Sequence, residues 1–252
     1  RCESVSGCRA NGRSIDEPSM NPAAPAGGIA SVAKALGDLA GRVVFVGGAV
    51  APLLHTGSVL PPPRTTRDVD AVVASPAFGD YDEVARTIGA QGFSPMTDAR
   101  DHVHRWRSPD GIVFDIVPAG DHLGGSGSRW DVLALEAPVV AVIDGVTLRH
   151  VTAAIFIAMK LDAYKDRGRG DLAASHDIED IIVLIASRPS IVDDVRGAAA
   201  AVQAKVTAFA AALVTSEIAD DILTGHLNDA DNVGYAVRVA KERLGEIAAI
   251  AR

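Results

Sequence analysis

The sequence predicts an α/β (α+β) fold, in which a core of strands and helices precedes a helical C-terminal domain. Short apolar runs such as VVFV and the end of DVDAVV occur within the first 151 residues and have the length of buried strands. Two pairs of such runs are separated by turn residues, as in β-hairpins. Beyond residue 151 the apolar residues recur at helical spacing instead. We therefore expect a core over 29–151 and a helical domain over 152–252.

Composition limits the function classes. The chain has 252 residues, 48% of them hydrophobic, and a formal net charge of −8. Broad coating of nucleic acid is therefore excluded, although a local basic patch stays open. No apolar run is long enough to predict a membrane span. The two cysteines, Cys2 and Cys8, form neither a metal-ligand set nor a disulfide framework, which favours a cytoplasmic protein.

Residues 1–28 are polar and rich in Pro, Gly and Ser. They lack the apolar segment of a secretory signal, so we expect a disordered leader. Because residue 1 is Arg, Met20 is the expected natural start.

The first elements follow from apolar spacing. Apolar residues at helical spacing predict a first helix that ends before Gly41; they are Ile29, Val32, Leu36 and Leu39. The strand VVFV comes next and stops at Gly47-Gly48. A short helix over Ala49–Leu54 and the strand DVDAVV follow.

Turn and cap residues place the remaining core elements. Asp80, with Glu83 three residues later, resembles a capping box at the start of a helix that Gly92 closes. Pro109-Asp110-Gly111 separates HVHRWRS from IVFDIVP and predicts a hairpin. Asp144-Gly145 predicts a second hairpin between VVAVI and VTLRHV.

Helices account for the rest of the chain. Thr152 is positioned to cap a helix through AAIFIAMKLDAYK, which the loop DRGRGD ends. Further helices are expected at about 175–186, within 191–215 and at about 232–251.

Asp68 and Asp70 are the first candidate metal ligands. Side chains alternate along a strand, so both carboxylates project from the same face of DVDAVV. Placing two acids side by side on a strand that otherwise belongs to the core is unfavourable without a cation. The alternative is a turn at the strand end with two solvated acids.

Asp115 lies in the middle of the strand IVFDIVP and is the third candidate ligand. An edge strand with one solvated face is the alternative. A divalent cation shared by three carboxylates accounts for all three acids at once. Hard oxygen ligands favour Mg²⁺ or Mn²⁺, and zinc is excluded because the chain offers no Cys/His set.

Gly47 and Gly48 lie where a strand turns into a helix, and backbone N–H groups at such a turn can bind an anion. We expect this turn to hold the phosphates of a nucleotide whose metal the carboxylates bind. Arg67, which precedes Asp68, is a further candidate for nucleotide binding.

Lys160 and Asp177 are the candidate site residues of the helical part. Helical neighbours of Lys160 are mostly apolar, which favours an inward lysine that neutralises triphosphate charge. A surface lysine with a buried stem is the alternative. Asp177 lies in a first helical turn, and the alternative is that it is simply an acid stabilised there by the helix dipole. Arg167 and Arg169 lie on the intervening loop and could contact phosphate or RNA, or simply be solvated.

Three blocks of the sequence together resemble a known family. They are FVGG followed by RDVDAVV, then FDIVP, then MKLDAYKDRGRGDLAASHDIEDI, and they span about residues 43–186. In this order they resemble the nucleotidyltransferase superfamily, specifically the AbiEii-like toxins of abortive-infection and toxin–antitoxin systems. One departure is the connection of 19 residues between Gly48 and Asp68, which contains PPP.

The resemblance implies a nucleotidyltransferase-type mixed sheet flanked by helices, with a helical C-terminal domain, and it implies roles for these residues. Gly47 and Gly48 correspond to the phosphate turn, Asp68 and Asp70 to the metal pair and Asp115 to the third acid, while Lys160 and Asp177 correspond to the later motifs. It implies transfer of a nucleoside monophosphate from a nucleoside triphosphate, with Mg²⁺, to a hydroxyl of tRNA or protein, and a cognate antitoxin as partner. A small-molecule acceptor such as an aminoglycoside, or an inactive nucleotide-binding module, are the alternatives.

Overall fold

The computed structural model describes residues 24–57, 66, 68–74, 78–96, 104–120, 128–167 and 170–250. Within these ranges the strands form one mixed sheet and most of the remaining residues are helical. The predicted α/β (α+β) class with a helical C-terminal part is confirmed. No helix in the described ranges is long and apolar enough to cross a membrane.

The sheet contains seven described strands. They are β1 (Val43–Val46), β2 (Asp68–Val73), β3 (Ser94–Pro95), β4 (Arg105–Arg107), β5 (Val113–Pro118), β6 (Val139–Ile143) and β7 (Val146–His150). Their order across the sheet is β3-β4-β5-β2-β1-β7-β6. The pairs β2–β5 and β1–β7 are parallel and the other four are antiparallel.

Four helices lie among these strands in the chain. They are α1 (Ala24–Leu36), α2 (Ala51–Leu54), α3 (Phe78–Ala90) and α4 (Arg129–Glu136). Helix α1 begins within the stretch expected to be a leader; residues 1–23 lie outside the described ranges. It ends at Leu36 because Gly37 takes a positive φ of 54°, and Leu39 lies in the 3₁₀ turn Gly37–Gly41.

The helical part contains α5 (Ala153–Arg167), α6 (His176–Ser187), α7 (Ile191–Arg196), α8 (Ala200–Val214), α9 (Ala219–His226) and α10 (Val233–Ala249). The Thr152 hydroxyl accepts a hydrogen bond from Ile155 N at 3.4 Å, so the predicted cap of α5 is present. Ser175 caps α6 in the same way, accepting from Ile178 N at 3.4 Å. Helices α4 and α9 had no counterpart among the sequence predictions.

Both predicted hairpins are present. Strands β4 and β5 pair across a turn in which Gly111 has φ of 84°, and β6 and β7 pair across Asp144 and Gly145, which have φ of 51° and 77°. The capping box at Asp80 is wrong, because α3 already begins at Phe78 and Asp80 lies inside it.

One continuous apolar core joins the sheet to the helices. Phe45 and Phe114 of the sheet and Ile157 and Ile181 of α5 and α6 all belong to it and are fully buried. Backbone contacts also cross between the two parts, since Gly57 N donates to Ser187 O at 2.7 Å. The predicted boundary at residue 151 lies just before α5, and division into separate domains stays a prediction.

Candidate metal and nucleotide site

The site lies where three strand ends meet. Strand β2 runs antiparallel to β1 and parallel to β5. The beginnings of β2 and β5 therefore lie beside the end of β1, where the Gly47 turn follows. This arrangement brings Asp68, Asp70 and Asp115 to one edge of the sheet.

Strand register sets the acids side by side. Val46, Asp70, Asp115 and Arg105 are direct neighbours across β1, β2, β5 and β4. One carboxylate oxygen from each of the three acids, Asp68 included, lies within 4.8 Å of the others. The sequence-predicted triad is thus assembled, and we call it the acid row.

Neither alternative for these acids fits the geometry. Asp70 lies inside β2 rather than in a turn, and Asp115 lies on β5, which is flanked by β2 and β4 and is not an edge strand. Burial, together with the charges of Asp68 and Asp115, raises the pKa of Asp70 to about 7 against opposing effects of Lys160 and Arg105. A carboxylate in that position favours a cation next to it.

Gly47 is required by the close approach of Asp70. A Cβ at Gly47 would lie 2.0 Å from Asp70 Oδ2, and its φ of 71° is unfavourable for other residues. At Gly48 a Cβ would lie 2.6 Å from the Thr66 methyl group. The turn thus lets backbone lie directly against the acid row.

The helix after this turn is shorter than the sequence suggested. A three-residue 3₁₀ turn, Gly48–Val50, leads into the four-residue helix α2. A helix of this length adds little dipole, so anion binding here would depend on local N–H groups. Arg67 lies outside the described residues.

Arg105 is a site residue that sequence reasoning missed. Its Nε donates to Asp115 Oδ1 at 2.8 Å and its Nη2 donates to Oδ2 at 2.5 Å. Nη2 also lies 3.8 Å from Asp68 Oδ2. The hairpin is symmetric about Asp110 and places Arg105 opposite Asp115. The predicted turn PDG was therefore the sequence feature from which this pairing could have been found.

Lys160 and Asp177 meet in a second group of charges between α5 and α6. Lys160 Nζ lies 3.1 Å from Asp177 Oδ1 and 2.5 Å from Asp180 Oδ2. Lys160, Asp177 and Asp180 are 7%, 5% and 8% exposed. The surface-lysine alternative is therefore wrong, and Asp180 joins a group that we call the helix cluster.

Arg167 completes the helix cluster. Its Nε and Nη2 donate to the two oxygens of Asp177 at 2.9 and 2.8 Å. Burial raises the pKa of Asp177, but the hydrogen bonds from Arg167 and the charge of Lys160 outweigh it, so this pKa lies below its usual value. Lys160 also lowers the pKa of Asp70, so the helix cluster lies near the acid row. Arg169 lies outside the described ranges.

Comparison with solved structures identifies the fold. A nucleotidyltransferase-like antigenic protein from Paracoccidioides brasiliensis is similar with a TM-score of 0.51 and 18% identity, over 81% of this chain and 92% of that one. The chain has a nucleotidyltransferase-like fold. JHP933 from Helicobacter pylori is similar with a TM-score of 0.45 and 15% identity, over 88% of this chain and 90% of that one.

Sequence comparisons add no closer relation. No protein-family model matches this sequence, and no curated protein matches it. At 18% identity the structural similarity establishes the fold alone. The nucleotidyltransferase-like fold and the acid row are therefore findings, while membership of the AbiEii-like family stays a prediction.

Proposed function

We propose that the chain is a metal-dependent nucleotidyltransferase, which moves a nucleoside monophosphate from a nucleoside triphosphate to an acceptor hydroxyl. The observation that carries this proposal is the acid row, whose three carboxylates converge within 4.8 Å on adjacent strands. It lies beside a glycine turn, in a nucleotidyltransferase-like fold. Oxygen ligands of this kind suit Mg²⁺ or Mn²⁺.

The acid row suits a divalent cation because its carboxylates carry excess negative charge, as well as because they offer oxygen ligands. Asp70 favours protonation because burial and two neighbouring carboxylates act on it together. A divalent ion bound here would neutralise charge on the phosphates and polarise the group under attack. Asp68 and Asp70 would hold that ion, since both lie on the same face of β2.

The other residues have separable roles in this proposal. Backbone at Gly47 and Gly48 would lie against the phosphates, because neither residue carries a side chain that blocks them. Asp115 would bind metal or accept the proton of the acceptor hydroxyl as that oxygen attacks the α-phosphorus and pyrophosphate leaves. Lys160 would add positive charge next to Asp70 while it pairs with Asp177.

For the acceptor, the resemblance implied a hydroxyl of tRNA or protein, and the clustered basic residues Lys160, Lys165, Arg167 and Arg169 would be the local patch that an RNA acceptor needs. Of the four clustered cations that suggested an RNA patch, Lys160 is buried and Arg167 is paired with Asp177. Lys165 is exposed, and Arg169 is not described. The acid row and helix cluster contain five carboxylates against the cations Arg105, Lys160 and Arg167. A divalent ion in the acid row would offset this difference, so net charge alone favours neither a cationic acceptor such as an aminoglycoside nor a hydroxyl of tRNA or protein.

The decisive experiment is an acceptor assay with the full chain. Purified protein is incubated with each α-labelled nucleoside triphosphate and Mg²⁺ or Mn²⁺, with total tRNA in one arm, total cell protein in a second and a panel of aminoglycosides in a third. Asp70→Asn serves as the inactive control. Label appears in one acceptor class if the proposal is correct. Absence of labelled product and of pyrophosphate in every arm, with a folded protein, contradicts it.

A toxin role has its own test. Induced expression of the wild type should slow bacterial growth, and Asp70→Asn should relieve the effect, because the metal pair is required for transfer. Growth is followed together with the amount of soluble protein. Normal growth with abundant active enzyme contradicts the toxin role, and with it the expected antitoxin, and leaves nucleotidyl transfer intact.

A further inference from the structure

Arg105 occupies both oxygens of the third acid. The planar guanidinium makes two hydrogen bonds, Nε to Oδ1 and Nη2 to Oδ2 of Asp115, at 2.8 and 2.5 Å. Such a paired geometry is the strongest that arginine makes with a carboxylate. Asp115 is therefore already neutralised by a cation of the chain itself.

The same guanidinium extends toward the metal pair. Nη2 lies 3.8 Å from Asp68 Oδ2, so its charge lies between two members of the acid row. Arginine keeps its proton at any physiological pH, so this charge cannot be removed by titration. A divalent cation that used Asp115 would face a like charge at short range unless the arginine moved away.

The position of Arg105 allows such a movement. Its side chain is 32% exposed, whereas that of Asp115 is 18% exposed. The arginine lies on β4, a short strand next to the end of the sheet, while both carboxylate strands are internal. The guanidinium of Arg105 thus has access to solvent, whereas the acids lie on strands in the interior of the sheet.

We propose that Arg105 is a positioning residue that serves as an internal counter-cation and competes with a divalent metal ion for Asp115. This inference rests on the proposed function of the acid row. In the metal-free protein Arg105 holds the carboxylate of Asp115 in place. Full use of the three acids by a metal ion requires Arg105 to leave Asp115, so the resting protein binds metal weakly.

The test measures Mn²⁺ binding to the full chain without nucleotide, by electron paramagnetic resonance of the free ion and by calorimetry. Arg105→Gln is expected to bind Mn²⁺ more tightly by on the order of tenfold, because a like charge close to the ion is removed. Arg105→Lys keeps the charge but loses the paired geometry, and should lie between wild type and Arg105→Gln.

The matched control is Arg107→Gln. Arg107 lies on the same strand, is exposed, and donates to Gly111 O at 3.1 Å rather than to the acid row. Its loss should leave the Mn²⁺ affinity unchanged. Thermal unfolding adds a second measurement: Arg105→Gln should unfold at a lower temperature than wild type in a chelator, and Mn²⁺ should raise its midpoint more than that of wild type.

The outcomes separate this inference from the proposed function. Saturable Mn²⁺ binding with the same or weaker affinity in Arg105→Gln overturns the competition and makes Arg105 a simple brace for Asp115, while the metal site stands. No saturable Mn²⁺ binding by wild type or variant overturns both. Tighter binding that also appears in Arg107→Gln overturns the inference, because the effect would then be one of general charge.

Discussion

The acid row and the helix cluster are both groups of carboxylates with basic partners, yet their charges balance differently. The acid row has three acids for Arg105, and the pKa of Asp70 is raised to about 7. The helix cluster has two acids for Lys160 and Arg167, and the pKa of Asp177 is lowered. Burial raises the pKa of both aspartates; at Asp70 two neighbouring carboxylates add to this effect, whereas at Asp177 the hydrogen bonds of Arg167 and the charge of Lys160 outweigh it.

In the proposed function, this difference separates a metal site from a group of charges that mainly supports the fold. The helix cluster is complete, because each buried acid has a cation of the chain next to it. It connects α5 to α6 and so holds the helical part together beside the sheet. The acid row is short of positive charge, which is the state that a metal-binding site has before the metal arrives. Mutations in the two groups should therefore affect different properties.

The largest effect is expected from Asp70→Asn, which should abolish nucleotidyl transfer and keep the fold. Loss of a metal ligand removes several kcal/mol of transition-state stabilisation, so turnover should fall by about three orders of magnitude. The unfolding midpoint without Mg²⁺ should be unchanged or higher, because repulsion among the three acids is reduced. Turnover and thermal unfolding are measured on the same preparation. Wild-type turnover in Asp70→Asn would show that the acid row is not the site.

Lys160→Met, unlike Asp70→Asn, should cause a large loss of stability. Removing the ammonium leaves Asp180 without this partner and Asp177 with Arg167 alone. Breaking a buried pair in this way costs about 3–5 kcal/mol, although methionine keeps most of the apolar stem. Urea unfolding measures the loss. Lys165→Met, at an exposed position on the same helix, is the control and should change stability little.

Local rules were sufficient to predict on which face of its strand each acid of the acid row lies, whereas the pairing of β2 with β5 that brings Asp115 to Asp70 does not follow from them. Alternation along DVDAVV places Asp68 and Asp70 on one face, and alternation along β5 does the same for Asp115. The glycines of the turn were predicted because they end an apolar strand. None of these steps needed knowledge of which strands are neighbours.

Cation pairing could not be predicted in the same way, because it depends on contacts between elements. Arg105 reaches Asp115 through the hairpin register, and Lys160 reaches Asp180 across a helix pair. Sequence spacing showed that Lys160 has apolar helical neighbours, but not whether its ammonium turns inward. Asp180 also lies near the start of α6, where the helix dipole stabilises acids, and its burial at 8% exposure distinguishes it from the half-buried Glu179.

A smaller effect is expected at His55, which lies next to the helix cluster. Both ring nitrogens are buried and have no hydrogen-bond partner among the described residues. Burial lowers the pKa of His55 from 6.5 to about 4, with Asp180 opposing the shift and Arg188 adding to it. As pH falls, the imidazole of His55 is therefore protonated in the unfolded chain at a higher pH than in the folded protein. The stability from neutral His55 is complete above pH 6.5 and is lost progressively toward pH 4, by on the order of 2–3 kcal/mol.

Comparison of wild type with His55→Phe tests this pH dependence. The variant should lose less unfolding free energy than wild type between pH 7 and pH 4.5, since it has no imidazole to protonate. His176→Gln is the control, because the imidazole of His176 is exposed on the first turn of α6. Equal pH dependence of wild type and His55→Phe would show that His55 is not held neutral by the fold.

The smallest effect is expected from Arg167→Ala, which tests how much of the helix cluster depends on its exposed member. The Arg167 side chain is 69% exposed, so solvent screens its attraction to Asp177 even though the pairing is bidentate. Lys160 stays within 3.1 Å of Asp177 and keeps that acid neutralised. The loss of unfolding free energy should therefore be below about 1 kcal/mol, close to that of Arg238→Ala, which breaks an exposed pair with Glu242. A loss as large as that of Lys160→Met would mean that Lys160 alone does not neutralise Asp177. The helix cluster would then lack positive charge without its exposed arginine, as the acid row does.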